Sequence, residues 1–304
     1  MDDFTRGLPD QTGRLMIVTG ANTGLGFETT RMLAEKGATV VMACRNLQKA
    51  EAARARIAEA VPDASLEVLE IDLASMSSVR AFADAFLARH DRLDVLINNA
   101  GVMMPPFTKT EDGFELQFAA NYLGHFLLTA RLMDVIRATE GSRVVSLSSI
   151  AHRRGRIDFD DLQSEDGYSA SDAYAQSKLA CLLFAYELQR RLEAVGDDTT
   201  ISTAAHPGVA TTELARHLPS LLYTVARYTI APFLTHSAEA GARPTMLAAI
   251  GEAGGGDYFG PTGFKEMKGA PGHASSTRQA RDEDLARRLW EVSEELVGER
   301  MLAG

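Results

Sequence analysis

Short apolar runs alternate with longer helical patterns over the first two thirds of the chain. Runs at 15–19 (LMIVT), 38–43 (ATVVMA), 66–71, 93–98 (LDVLIN), 143–147 (RVVSL) and 200–205 read as strands. Between them, 24–36, 47–60, 76–89, 110–138 and 170–194 carry helical spacing. One strand followed by one helix, repeated, implies a parallel sheet with helices on both faces. Strands buried on both sides lose the polar alternation of a half-exposed strand, which fits these nearly continuous apolar runs. Beyond 205 the pattern loosens. Residues 211–250 look helical but contain Pro219, Pro232 and Pro244. A Gly-rich stretch at 251–256 leads to a short edge strand at 257–260. A last amphipathic helix runs over 281–296, with Leu285, Leu289, Val292 and Leu296 on one face.

Composition narrows the function classes. The 304 residues are 45% hydrophobic and 24% charged, ordinary for a soluble globular chain. The net charge of −10 argues against nucleic acid and against polybasic docking to anionic lipid. Two cysteines, Cys44 and Cys181, support no disulfide framework, and seven histidines show no ligand spacing, so no metal is expected. Residues 1–11 read as neither signal peptide nor anchor, and no uncharged run is long enough for an integral membrane segment. The expected location is cytoplasmic.

Thr19-Gly20-Ala21-Asn22-Thr23-Gly24-Leu25-Gly26 follows the first strand and opens the first helix. Glycines there let the backbone approach a pyrophosphate, and the helix N-terminus offers free N–H groups to the anion. A dinucleotide site is expected on Gly20, Asn22, Thr23, Gly24, Leu25 and Gly26. A Gly-rich turn that binds nothing is the competing reading. An acid ending the second strand would accept from the ribose 2′-OH of NAD(H). The chain has Cys44-Arg45-Asn46 instead. Arg45 can pair with a 2′-phosphate through its donor fork, which favours NADP(H) over NAD(H); an ordinary exposed arginine is the alternative. Asp72, before Leu73, either accepts from the adenine amino group or serves the start of the next helix near Ser75.

Tyr174 and Lys178 lie four residues apart, one turn apart on one helix face. A free phenol has a pKa near ~10, and a neighbouring ammonium stabilises the phenolate. The pair can therefore act as acid and base on a carbonyl or an alcohol. A surface helix with one buried aromatic is the plain alternative.

In order along the chain, Thr19–Gly26, Asn98-Asn99-Ala100-Gly101, Ser149, Tyr174-x-x-x-Lys178 and Pro207-Gly208 make it resemble the short-chain dehydrogenase/reductase family over nearly its whole length. Ala43-Cys44-Arg45-Asn46, Val145–Ser149 with Ala151-His152, His206-Pro207-Gly208 and Arg288–Ser293 resemble its retinol dehydrogenase and WW-domain oxidoreductase branch. The resemblance implies a doubly wound Rossmann-type sheet of about seven strands, order 3-2-1-4-5-6-7. It implies Tyr174 as general acid or base, and Lys178 tuning Tyr174 and holding the nicotinamide ribose. Ser149, with Ser148 as the neighbouring candidate, would bind the substrate oxygen. Asn121 would hold a water linking Lys178 to solvent. Asn98 would brace the sheet. Asn99, Ala100 and Gly101 would run beside the cofactor ribose. Pro207, Gly208 and Val209 would meet the carboxamide, and Thr211 that amide or the pyrophosphate. The function so implied is an NADP(H)-dependent alcohol dehydrogenase or carbonyl reductase acting on a small apolar carbonyl or alcohol substrate.

The chain is read as one domain, 1–304, with 209–250 a substrate-side lid region and 279–298 a C-terminal helix. The apolar stretch 218–234 can be core, lid or membrane-surface helix. Residues 153–161 read as a solvated loop. Two readings from other classes stay open: a cofactor-binding regulatory protein with little turnover, and a scaffold that pairs with itself through the two long helices. A homo-dimer or a homo-tetramer is compatible with the sequence.

Overall fold

Side chains of the first strand alternate between two separate apolar layers. Leu15 and Ile17 of β1 (Leu15–Thr19) enter one layer, and Met16 and Val18 enter the other. The structure, a computed structural model, describes residues 2–209 and 237–302. β2 (Thr39–Cys44) and β4 (Val95–Asn98) flank β1 in parallel, and Ile17 is in register with Val41 and with Leu96. β3 (Ser65–Glu70), β5 (Arg143–Leu147), β6 (Ile201–Ala205), β7 (Tyr258–Pro261) and β8 (Pro271–His273) complete the order 3-2-1-4-5-6-7-8. Among the described residues every pairing is parallel except β7 with β8.

After the short α1 (Asp3–Gly7), helices α2 (Gly24–Glu35) and α3 (Leu47–Ala60) pack on one face. Helices α4 (Met76–Leu87), α6 (Gly124–Arg137) and α7 (Ala170–Ala194) pack on the other. The short α5 (Leu116–Phe118) leads into a π turn, Ala119–Leu123, and directly into α6. α8 (Ala238–Ile250) lies beside α2, and α9 (Glu283–Val297) crosses α6 and α7.

Four expectations change. Among the described residues the sheet has eight strands, not about seven, because Pro271–His273 pairs with β7. That segment has no apolar run, and a proline opening an edge strand loses no ladder bond. The strand expected at the edge, 257–260, is therefore internal as β7. The helix expected from 110 begins only at Leu116, where Glu115 accepts from Phe118 N–H at 2.7 Å. Gly113, at φ +86°, ends a tight turn that Lys109 and Glu115 close as a bridge. Within the expected lid region, α8 is core: Ala242, Met246, Ala248 and Ala249 are fully buried. Residues 210–236, including Thr211 and the apolar stretch 218–234, lie outside the described residues.

The buried face of α9 is centred on Ala286, Leu289, Trp290, Ser293 and Val297, with Leu285, Val292 and Leu296 at its margins. Trp290 stacks on Phe184 of α7 at 5.7 Å between centroids and meets Phe126 of α6 edge-on at 5.1 Å. The Tyr122 hydroxyl and Ser293 Oγ lie 2.7 Å apart. The aromatic faces of the two long helices are thus covered within one chain. Trp290→Ala should destabilise the fold by about 3–5 kcal/mol, read as a lower urea midpoint at unchanged slope. A loss below ~1 kcal/mol would show that α9 is peripheral.

Candidate active site

A cleft of about 510 Å³ runs along the carboxyl ends of β1 to β6. Each strand stops there and each following loop lines it, which is where open α/β sheets bind ligands. The cleft joins most of the residues singled out above.

At one end lies the glycine turn, with Gly20, Asn22, Thr23, Gly24, Leu25 and Gly26 all lining the cleft. Gly20 (φ +69°) and Gly24 (φ +55°) occupy the left-handed region that other residues avoid. A Cβ on Gly26 would stand 2.3 Å from the Gly20 carbonyl and 2.6 Å from Asn99 Nδ2. Helix α2 starts at Thr23 with no side-chain cap and no acid in its first turn. By contrast α3 and α4 are capped by Asn46 and Ser75. The first N–H groups of α2 are thereby left for an anion.

Arg45 and Asp72 face each other across the rim, Nη1 to Oδ2 at 3.9 Å, and both line the cleft with Leu73. Asp72 Oδ1 accepts from Ala74 N–H, and Ser75 is the helix cap, so Asp72 is not. Asn46 caps α3 through Lys49 N–H and does not line the cleft. Cys44 ends β2 where an acid would read a ribose. Burial pushes its thiol up to about 11, so it carries no charge there.

At the other end, Tyr174 and Lys178 line the cleft and are buried. Lys178 Nζ donates to the Leu147 carbonyl at 3.0 Å and stands 5.9 Å from the Tyr174 ring centroid. A Cβ on Gly101 would lie 3.5 Å from Lys178 Nζ. Ser148 lines the cleft and donates to the Lys178 carbonyl at 2.7 Å. Ser149, beside it, does not line the cleft; it accepts from Ala151 N–H and caps the 3-10 turn Ile150–Arg154. His152 Nδ1 lies 2.7 Å from the Ser149 carbonyl, which accepts its proton. Asn121 does not line the cleft. Its side chain accepts from Val102 N–H and donates to the Val102 carbonyl and to Ser177 Oγ. Asn98 donates to Thr129 Oγ1, a bracing bond between β4 and α6.

Asn99, Ala100 and Gly101 line the cleft between the two ends. Asn99 Nδ2 donates to the Thr19 carbonyl at 2.7 Å, and Thr19 Oγ1 accepts from the N–H groups of Asn99 and Ala100. Pro207 lines the cleft after β6. Gly208, at φ +73°, donates to His206 Nδ1, and Val209 N–H donates to the Met267 carbonyl. Thr211 lies outside the described residues.

Sequence reasoning missed Val102, Met103 and Leu147, which line the cleft beside Tyr174. Their adjacency to Asn99–Gly101 and to Ser148 was the available signal. It also missed Glu266, which carries no motif. Burial works against the Glu266 charge, but hydrogen bonds from His206 and Ser275 N–H, with Arg153 alongside, hold its carboxyl at about 2.

A sequence profile of the short chain dehydrogenase family matches residues 14–220. Retinol dehydrogenase 13 of Homo sapiens is 45% identical over 293 residues, covering 94% of this chain and 85% of that one. Retinol dehydrogenase 12 of Homo sapiens is 44% identical, covering 95% and 87%. A crystal structure of an uncharacterized protein from Mycobacterium paratuberculosis superposes with a TM-score of 0.81 at 41% identity, covering 98% of each chain.

Two buried histidines behind the cleft add to the acid sensitivity of the fold. His125 Nδ1 faces the Asn121 carbonyl, so it holds the proton, and Nε2 accepts from Thr19 Oγ1 at 2.9 Å. Burial depresses both His125 and His152 from 6.5 to about 4. Between those values the unfolded chain binds protons that the native rings refuse, so acid favours unfolding. Their stabilisation is complete above pH 6.5 and is lost as pH falls through 4. Denaturant midpoints should fall across that window, and His125→Gln, which cannot titrate, should flatten the slope. An unchanged slope would clear His125 as a cause.

Proposed function

The chain belongs to the short chain dehydrogenase family and is an oxidoreductase, and from that premise we propose that it is an NADP(H)-dependent dehydrogenase or reductase of small apolar alcohols and carbonyls. The observation that carries the reading is the single cleft joining an uncapped helix N-terminus to the Tyr174–Lys178 pair. The residues fit a nicotinamide dinucleotide. Gly20 and Gly26 line the cleft beside the α2 donors, where a pyrophosphate would lie. Arg45 stands at the rim with its side chain 70% exposed, and β2 ends in an uncharged thiol rather than a carboxylate, which favours a 2′-phosphate. Bound there, the nicotinamide supplies or accepts the hydride.

The chain's own groups handle the proton and the position. Tyr174 gives a proton to the substrate oxygen in reduction and takes it back in oxidation. The Lys178 ammonium, fixed by the Leu147 carbonyl, stabilises negative charge as it develops on the phenol. Ser149 uses its oxygen to accept from Ala151, which leaves its proton for the substrate oxygen. The single proton of Ser148 is already given to the Lys178 carbonyl. Asn121 braces Val102 and Ser177, and Ser177 in turn donates to the Tyr174 carbonyl. Val102, Met103 and Leu147 give the reacting end an apolar wall, which suits an apolar substrate. Cys44 and Cys181, both buried free thiols, accord with the cytoplasm. A homo-dimer or homo-tetramer would form through faces other than the aromatic surfaces that Trp290 covers.

Tyr174→Phe should lower kcat by about 10²- to 10⁴-fold across a panel of alcohols, aldehydes and ketones while NADPH binding persists. Retained turnover would sink the assignment. Arg45→Ala should weaken NADPH by ~10-fold or more and leave NADH nearly unchanged. Equal changes would mean that Arg45 does not read the 2′-phosphate.

A further inference from the structure

Glu266 lies on the link between β7 and β8, and its carboxylate joins two loops that end on the cleft. Its Oε2 accepts from His206 Nε2 at 3.2 Å and from Arg153 Nη2 at 2.6 Å, and its Oε1 accepts from Ser275 N–H at 3.0 Å. His206 is fully buried at the end of β6, and its Nδ1 accepts from Gly208 N–H at 3.2 Å. That bond fixes the tautomer: Nε2 holds the proton and points it at the carboxylate. Arg153 belongs to the 3-10 turn that Ser149 caps.

The backbone is arranged around this contact. Lys265 (φ +49°) and Glu266 (φ +59°) are consecutive left-handed residues without being glycine, a conformation that persists only where surrounding contacts hold it. Gly260 makes room, since a Cβ there would stand 2.0 Å from His206 Nε2. Gly208 does the same, since its Cβ would meet the Met267 carbonyl at 2.4 Å. Val209 N–H donates to that carbonyl at 2.8 Å. The segment after β6 therefore rests on the residue next to Glu266, and Pro207 in that segment lines the cleft.

We propose that Glu266 is a positioning residue of the active site: through His206 it sets the Pro207–Gly208–Val209 turn at the nicotinamide end of the cleft, and through Arg153 it ties that turn to the loop carrying Ser149. It acts through other residues and touches no reacting atom. A neutral amide that keeps its oxygen on His206 and Arg153 turns its N–H groups on Ser275 N–H and loses the charge that holds Arg153, so the tie between the two loops weakens. The proposal rests on the cofactor reading above, with Arg45 at the adenosine half and Pro207, which lines the cleft near Tyr174 and Lys178, at the nicotinamide half.

The test uses the full-length chain and two ligands, NADPH and adenosine 2′,5′-bisphosphate, which has the adenosine end and lacks the nicotinamide. Glu266→Gln should weaken NADPH about tenfold, the loss expected for one charged hydrogen bond, and leave the bisphosphate unchanged. Arg153→Met, which cuts the other arm from a partly exposed position, should give the same selective loss at smaller size. It keeps the proposal open to refutation if the Gln variant fails to fold. A purely structural role would weaken both ligands by one factor, and that result overturns the proposal. A wild-type preference for NADPH that neither variant reduces overturns it alone. Wild-type protein that binds neither NADPH nor the bisphosphate overturns the cofactor reading and this proposal together.

Discussion

The Thr19 hydroxyl is where three parts of the site meet. It accepts from the N–H groups of Asn99 and Ala100 and donates to His125 Nε2. His125 in turn gives its Nδ1 proton to the Asn121 carbonyl inside the π turn. One buried chain of hydrogen bonds therefore links the end of β1, the loop after β4 and the start of α6. Away from water each bond is stronger and each broken partner more costly. The chain works only while His125 is neutral, which its burial ensures.

The same linkage gives the glycine turn a second purpose. Asn99 reaches across to the Thr19 carbonyl, and Gly26 is the residue whose side chain would block that reach. The turn lines the cleft and also lets Asn99 approach. At the far end of the cleft, Asn121 has no polar atom to spare: Val102, Ser177, His125 and Cys181 take its side chain and its carbonyl. It shapes the site from behind. Behind the groups that line the cleft, a set of buried polar residues holds them in place.

Much of the fold was legible because the first strands are buried on both faces. Such strands need continuous apolar runs, and 15–19 and 143–147 coincide with β1 and β5. β8 was illegible because a three-residue edge strand opening on proline buries nothing that a sequence pattern could show. The stretch 110–115 misled because its polar and acidic residues suit a helix start equally well. There, Gly113 and the Lys109–Glu115 bridge made a turn instead. Trp290 was missed as an anchor since a leucine stripe one residue away had similar periodicity.

By itself the sequence determined the order of strands and helices, the glycine turn after β1 and the pairing of Tyr174 with Lys178. Each of these depends on residues close together in the chain, where spacing dictates geometry. Only the tertiary structure decided that Asn46 caps a helix, that Ser148 donates to the Lys178 carbonyl while Ser149 accepts from Ala151, and that Glu266 joins two loops. Those outcomes rest on contacts between distant segments. The pair Arg153 and Glu266 is separated by 113 residues, and no local pattern records which carboxylate will reach which loop.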